Sequence, residues 1–296
     1  MTILKEFKYY KPESLKETTT LLYRKKNSVI LAGGTDLINN LREGSVSPDA
    51  VVDIKGIKSL GVIKLKENKL NIGALVTFSD VIKSGIILQN FPVIAEMAKF
   101  VGSTSIRNRA TLVGNICSAV PCMDNGPILV VYDAEIHVVG QDGERSIPVL
   151  KWFKDSRKVA LKEGEIVTSV SIALPAEKHS GCFIKLGRYS GEDLAQVNIA
   201  VLALPEYQYR VGFGSIAPVP IRAKKIEKML NGKKLDDGLI QTANFEASAA
   251  ATDVQTGFGF NFSGDDHTSK QSYISHCFLL LTPSALSTVI CQDGFK

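Results

Sequence analysis

One short stretch constrains this chain more than any other. An apolar run, Ser28-Val29-Ile30-Leu31-Ala32, ends at Gly33-Gly34, and a helical pattern restarts at Asp36-Leu37-Ile38-Asn39-Asn40-Leu41. A brief apolar run closed by glycines reads as a buried strand feeding a turn. Val51-Val52-Asp53-Ile54 reads as a second buried strand. Strand, glycine turn, helix and strand make a βαβ-like unit, which calls for parallel pairing. Two adjacent glycines allow positive φ and let a ligand approach the backbone closely. Successive amides there, with the start of a helix behind them, form a site for phosphate oxygens. Thr35 adds a hydroxyl donor. The same residues also read as a plain turn with Asp36 capping the helix. Neither G-x-G-x-x-G nor G-x-x-x-x-G-K-[ST] occurs, so the Rossmann and P-loop readings lack their sequence support.

The chain is 296 residues long, which at roughly 150 residues per domain suggests two domains. Its 45% hydrophobic content excludes a disordered chain. The 35 basic and 30 acidic residues are scattered, with no basic run interleaved with aromatics, which argues against a nucleic-acid partner. No apolar run approaches the roughly 18 residues that span a membrane. The start, residues 1–15, has no apolar leader pattern. A cytoplasmic protein without a membrane partner is expected. The five cysteines show no C-x-x-C and read as free thiols in a reducing compartment, not as zinc or cluster ligands. The four histidines are far apart in sequence, and no catalytic or metal-ligating set follows from spacing. If the chain is an enzyme, a cofactor carries the chemistry.

Ser14 opens a helix that runs to about Lys26. After residue 60 the pattern changes. Residues 61–65 with 69–74, and 134–139 with 146–149, alternate as hairpins, the second turning at Gln141-Asp142-Gly143. Thr77 caps one helix, residues 91–101 form another, and 166–172 form a strand. The polar segment 173–181 marks a domain boundary. Beyond it come strand-like runs at 197–204 and 207–216, then a lysine-rich helix at 223–230.

Two further stretches stand out. Residues 105–118, Ser-Ile-Arg-Asn-Arg-Ala-Thr-Leu-Val-Gly-Asn-Ile-Cys-Ser, are rich in donors and small residues. They suit a segment wrapped around a large polar cofactor, or a strand-turn-strand whose Asn115 satisfies its own turn. Downstream, Asp124 is placed to cap the helix over 128–131 or to accept a ribose hydroxyl. Residues 185–195, Lys-Leu-Gly-Arg-Tyr-Ser-Gly-Glu-Asp-Leu-Ala, alternate charges with glycines between apolar strands. That is a functional loop on a rigid scaffold or a solvated hairpin loop.

Taken together, A-G-G-T-D, S-I-R-N-R-A-T-L-V-G-N and K-L-G-R-x-x-G-x-D-L-A resemble the FAD-binding subunit of the molybdenum hydroxylases, the xanthine dehydrogenase family. Residues 214–223, Gly-Ser-Ile-Ala-Pro-Val-Pro-Ile-Arg-Ala, are similar to that family's G-x-x-A-P-x-P-x-R-A stretch. Within the family, a subunit of the anaerobic nicotinate dehydrogenase type is expected. The resemblance implies an α+β fold. An FAD-binding domain over 1–177 would comprise subdomains of about 1–58, with parallel strands, and 59–177, with antiparallel strands. A smaller C-terminal α/β domain over 178–296 would carry a three-stranded antiparallel sheet.

The resemblance also implies roles. Ala32, Gly33, Gly34, Thr35, Asp36 and Leu37 match the pyrophosphate loop, so Gly33→Val is expected to press a side chain against the diphosphate. Ile106, Arg107 and Asn108 match the second FAD segment. Thr111, Gly114 and Asn115 match its core, with Val113 where the family usually has glycine. Ser118 and Asp124 match the ribose and adenine side. Lys185, Arg188 and Asp193 match the loop near the flavin. Tyr189, where arginine is frequent, would stack on or shield the flavin ring or guide a nicotinamide. Partner subunits would carry the molybdenum cofactor and [2Fe–2S] clusters. Electrons from hydroxylation of a heteroaromatic substrate, such as nicotinate or a purine, would pass through FAD to NAD(P). A free-standing FAD oxidoreductase and a non-catalytic FAD-binding protein are the alternatives. One region departs from the family: Asp266, Ser269 and Tyr273 match its C-terminal segment, but Ile274 follows and Pro283 interrupts the helix expected there.

Overall fold

The computed structural model describes residues 5–236 apart from 190, together with 238, 239 and 242. The atypical stretch 257–296 lies outside the described residues, as do Cys277 and Cys291.

The first subdomain is a three-stranded parallel sheet. Strand β1 (Lys8–Tyr10) leads to helix α1 (Leu15–Arg24), then β2 (Ser28–Leu31), α2 (Leu37–Glu43) and β3 (Ala50–Asp53). The order is β1-β3-β2, with both pairings parallel. Ser14 caps α1 by accepting from the Glu17 amide, as its position before Leu15 suggests. β3 is the central strand and is buried at every position, the pattern of a strand covered on both faces. β2 was expected to be buried too. Instead all four of its residues are half-buried, because it is an edge strand beside a cleft. β1 gives no glycine or apolar signal and is recruited only by pairing with β3.

The second subdomain opens with the hairpin β4 (Ile63–Lys66) and β5 (Lys69–Gly73). Helices α3 (Phe78–Lys83), α4 (Gly85–Asn90), α5 (Pro92–Lys99), α6 (Thr104–Arg107), α7 (Leu112–Ser118) and α8 (Asn125–Val131) follow. Thr77 and Asp80 form a full capping box on α3. Strands β6 (Glu135–Gly140) and β7 (Gly143–Pro148), helix α9 (Val149–Trp152), the small ribbon β8 (Phe153–Asp155) with β9 (Lys158–Val159), and β10 (Ile166–Ala173) complete it. The antiparallel sheet runs β4-β5-β10-β6-β7. Its apolar face, with Leu70, Ile72, Ile136, Val138, Val170 and Ile172, packs into the main core.

The C-terminal sheet contains β11 (Ser180–Leu186), β12 (Val197–Leu204), β13 (Gln208–Gly214) and β14 (Ile221–Arg222), in that order and antiparallel, followed by helix α10 (Lys224–Leu230). The three long strands expected from the resemblance form its body, and two-residue β14 extends the edge. β12 is buried on both faces by simple alternation. Ala200 and Leu202 join the main core, while Ile199, Val201 and Ala203 join a second core under α10. The sheet is therefore wedged between its own helix and the helices of the N-terminal domain.

Among the described residues no helix is long and apolar enough to cross a membrane. Among the same residues no cluster of three or more His, Cys, Asp or Glu side chains is placed to hold a metal.

Candidate functional site

A cleft of about 400 Å³ lies where the first two subdomains meet. Its walls are the loop after β2, the start and inner face of α7, and the segment entering β10. Ala32, Gly33, Gly34, Thr35, Asp36 and Leu37 face Thr111, Gly114, Asn115 and Ser118 across it. Residues about 80 positions apart in sequence thus form one site.

The local chemistry explains the approach. A β-carbon on Gly33 would lie 2.1 Å from the Arg109 carbonyl oxygen, so only glycine lets the loop touch the 109–111 backbone. Gly34 has φ +82°, the left-handed region that favours glycine. Asp36 makes no side-chain cap bond to α2, so the capping reading is not realised. Across the cleft, Thr111 caps α7 by accepting from the Gly114 amide at 2.9 Å. The strand-turn-strand reading of 105–118 is corrected here: the segment folds as α6, a turn and α7, because Ser103 and Thr111 each cap a helix.

The cleft suits a dinucleotide such as FAD. The buried Oδ1 of Asn115 has no hydrogen-bond partner within the protein, which is costly unless a ligand or water supplies a donor. Thr35 and Ser118 add hydroxyls, and Ile30, Val113 and Val167 add apolar wall.

The remaining expected residues stand outside the lining of this cleft, in two groups. Arg107 turns its guanidinium onto the carbonyls of Lys99, Val101 and Gly102 and onto Thr104 Oγ1. Asn108 Oδ1 accepts from Ser79 Oγ at 2.6 Å. Ile106 is exposed on α6. Arg107 thereby ties α6 to the 99–102 segment, and Asn108 ties the end of α6 to α3.

The second group gathers where α8 meets the C-terminal sheet. Lys185 Nζ lies 2.8 Å from Asp124 Oδ2, and the two side chains are 7% and 6% exposed. Asn198 Nδ2 donates to Asp124 Oδ1 at 3.0 Å. Asp124 makes no cap bond to α8; its carboxylate serves Lys185 instead. Burial pushes the Asp124 carboxyl above the usual range, against the opposing pull of Lys185 and Asn198.

Asp193 accepts from the amides of Arg188, Tyr189 and Leu194. Burial works against ionisation there, but these amides outweigh it and lower the Asp193 pKa. The loop is thereby pinned into a shape that leaves Tyr189 79% exposed.

The sequence reading missed part of the wall. Lys26, Asn40 and residues 161–167 also line the cleft. Gly164, at φ +81°, was the available signal. Glu165 at the cleft edge holds Arg145 in a bidentate pair with both bonds at 2.7 Å. Cys117 lines the cleft, and burial pushes its thiol up to about 12, leaving it protonated and unreactive.

Comparison with known proteins agrees with this geometry. Residues 5–175 match the FAD-binding domain in molybdopterin dehydrogenase, and residues 182–256 match the CO dehydrogenase flavoprotein C-terminal domain. The glyceraldehyde dehydrogenase medium chain of Sulfolobus acidocaldarius is 31% identical over 239 residues, covering 80% of this chain and 85% of that one. The nicotinate dehydrogenase FAD-subunit of Eubacterium barkeri is 30% identical over 243 residues, covering 78% and 82%. In structure, the chain is similar to one in a carbon monoxide dehydrogenase from Hydrogenophaga pseudoflava. The TM-score is 0.87, at 24% identity, over 99% of this chain and 100% of that one. The chain therefore belongs to the molybdopterin dehydrogenase FAD-binding family, as an FAD-dependent oxidoreductase subunit of the molybdenum hydroxylase type.

Proposed function

We propose that the chain is the electron-transferring FAD subunit of a molybdenum hydroxylase complex. The observation that carries this reading is the convergence of loop 32–37 with 111–118 around an unpartnered Asn115 Oδ1. The loop amides and Thr35 hold the diphosphate, and Asn115 and Ser118 supply side-chain contacts from the opposite wall. Asn108, tied to Ser79, anchors the chain entering that wall, and Arg107 holds α6 before it. Lys185, with the loop carrying Arg188, Tyr189 and Asp193, borders the flavin ring, and Asp124, expected on the ribose and adenine side, is drawn to that end by its pair with Lys185. FAD held there would supply both one-electron and hydride chemistry, which would let one subunit join one-electron carriers to a two-electron acceptor.

Partner subunits carry the molybdenum cofactor and the [2Fe–2S] clusters. The molybdenum cofactor in the partner would supply hydroxylation of the substrate by water, releasing two protons and two electrons. The electrons reach this chain through the clusters and leave to NAD(P). The substrate is a heteroaromatic compound such as nicotinate or a purine, and a partner subunit selects it. The domain limits are near residue 177, with the subdomain change near 58, and the protein works in the cytoplasm.

A visible spectrum of the purified chain, followed by acid release and chromatography of the flavin, tests the first step. About one FAD per chain supports the reading. A folded, colourless chain that refuses added FAD overturns it. Molybdenum and iron analysis of the complex pulled down from its native cells tests the partners, and anaerobic reduction by NADH or NADPH tests the acceptor.

A further inference from the structure

The family-like stretch 214–223 takes no part in the cleft. Its Arg222 is buried and reaches across to the FAD-binding domain. Arg222 Nη1 donates to the Val130 carbonyl at 3.0 Å and to Asp133 Oδ1 at 2.8 Å. Its Nε pairs with Glu227, which also accepts the Val211 amide. Arg210 adds a bond to the Val131 carbonyl at 3.1 Å and an ion pair to Asp133 Oδ2 at 2.9 Å. Both arginines thus cap the C-terminal end of α8, where unsatisfied carbonyls favour cations.

The opposite end of α8 is held by the same sheet. Lys185 on β11 and Asn198 on β12 grip Asp124, as Arg210 on β13 and Arg222 on β14 grip the other end. Each strand contributes one polar side chain. Between the grips every α8 residue is buried. Gly126 packs against Pro220, and Pro127 packs against Gly212 and Gly214. A seven-residue helix is about 10 Å long, so the two grips lie within two turns of each other.

We infer that Arg222 is a positioning residue: through α8 it sets the Asp124–Lys185 contact, and so the ring-side wall of the cofactor site. The last clause rests on the proposed function; the mechanical coupling along α8 does not. Cys122, half-buried two residues before Asp124, reports on that end of the helix.

The test is the alkylation rate of Cys122 in the full chain, mapped by peptide mass spectrometry, for Arg222→Gln, Asp133→Asn and Arg222→Lys. Loss of a charge-assisted hydrogen bond at the C-terminal end of α8 from a local opening equilibrium predicts about tenfold faster labelling of Cys122 in the first two. Arg222→Lys recovers part of it, and Cys117 and Cys182 stay at their wild-type rates. If Arg222→Gln does not fold, Asp133→Asn carries the test, since its carboxylate is half exposed. An unchanged Cys122 rate in a folded variant overturns the inference, leaving Arg222 as a stabilising contact only. So does a parallel rise at Cys117, Cys122 and Cys182, which means general loosening. In flavin-loaded chain, iodide quenching of flavin fluorescence rises in the same variants. If wild-type chain binds no FAD, the cofactor reading fails while the labelling result still decides the coupling.

Discussion

Gly33 packs its α-carbon against the backbone carbonyl of Arg109, closely enough that a β-carbon would sit 2.1 Å from the oxygen. The contact joins the parallel subdomain to the turn before α7, and it changes what a substitution tests. Gly33→Val was expected to strike a diphosphate, but its side chain meets the Arg109 carbonyl first. Gly33→Ala is therefore expected to push loop 32–37 off the 109–111 backbone, lowering stability by about 1–3 kcal/mol and abolishing FAD retention. Urea unfolding of the apo chain and flavin stoichiometry check the two effects separately. An apo chain of wild-type stability would show that the loop yields without strain.

Asn115 separates apo from loaded protein. Its buried Oδ1 has no partner, and an unsatisfied buried acceptor costs about 1–3 kcal/mol. Asn115→Ala is expected to leave apo stability unchanged or higher, while weakening FAD binding about tenfold through loss of a hydrogen bond. Apo thermal unfolding and a fluorescence titration with FAD measure both. Equal affinity for FAD in the variant would remove Asn115 from the site.

Much of this was legible in the sequence because local signals agreed with the final packing. Ser14 and Thr77 each precede a helix and each caps one. The alternation at 134–139 and 146–149 matches the β6–β7 hairpin. Asp36 and Asp124 show where local signals end. Both occupy N-cap positions, yet neither makes a cap bond, and Asp124 is taken by Lys185, 61 residues away. β1 and Arg222 were illegible for the same reason: their roles come from partners distant in the chain. Residues 161–165 were passed over because a lone glycine among charged residues looks like any solvent loop.

The Lys185–Asp124 pair predicts an asymmetric response. Removing one partner of a buried ion pair strands the other, at about 3–5 kcal/mol. Lys185→Met should cost that much, since Asn198 alone remains beside the carboxylate. Lys185→Met combined with Asp124→Asn should recover most of it. A double-mutant cycle by urea unfolding gives the coupling. Additive single effects would mean that solvent reaches the pair despite its burial.

The histidines predict the pH dependence. His179 shares a 3.0 Å hydrogen bond with Tyr132 and lies among Phe91 and Tyr132. Burial lowers its pKa, with a backbone hydrogen bond at Glu177 opposing. His137, 2.7 Å from Ser171 Oγ, is also lowered, mainly by burial. A histidine whose folded pKa lies below its unfolded value binds its proton more readily when unfolded. Stability from these sites is therefore complete above an unfolded pKa of about 6.5 and falls as pH drops toward the folded pKa. The slope cannot exceed about 1.4 kcal/mol per pH unit for each histidine. Carboxylates held low by partners, such as Asp53 and Glu165, act in a separate window near and below pH ~4. His179→Gln, which keeps a partner for Tyr132, should flatten the urea midpoint between pH ~7 and pH ~5, and His137→Asn should remove a further part. If both variants keep the wild-type slope, protonation of these two histidines does not govern the acid limb.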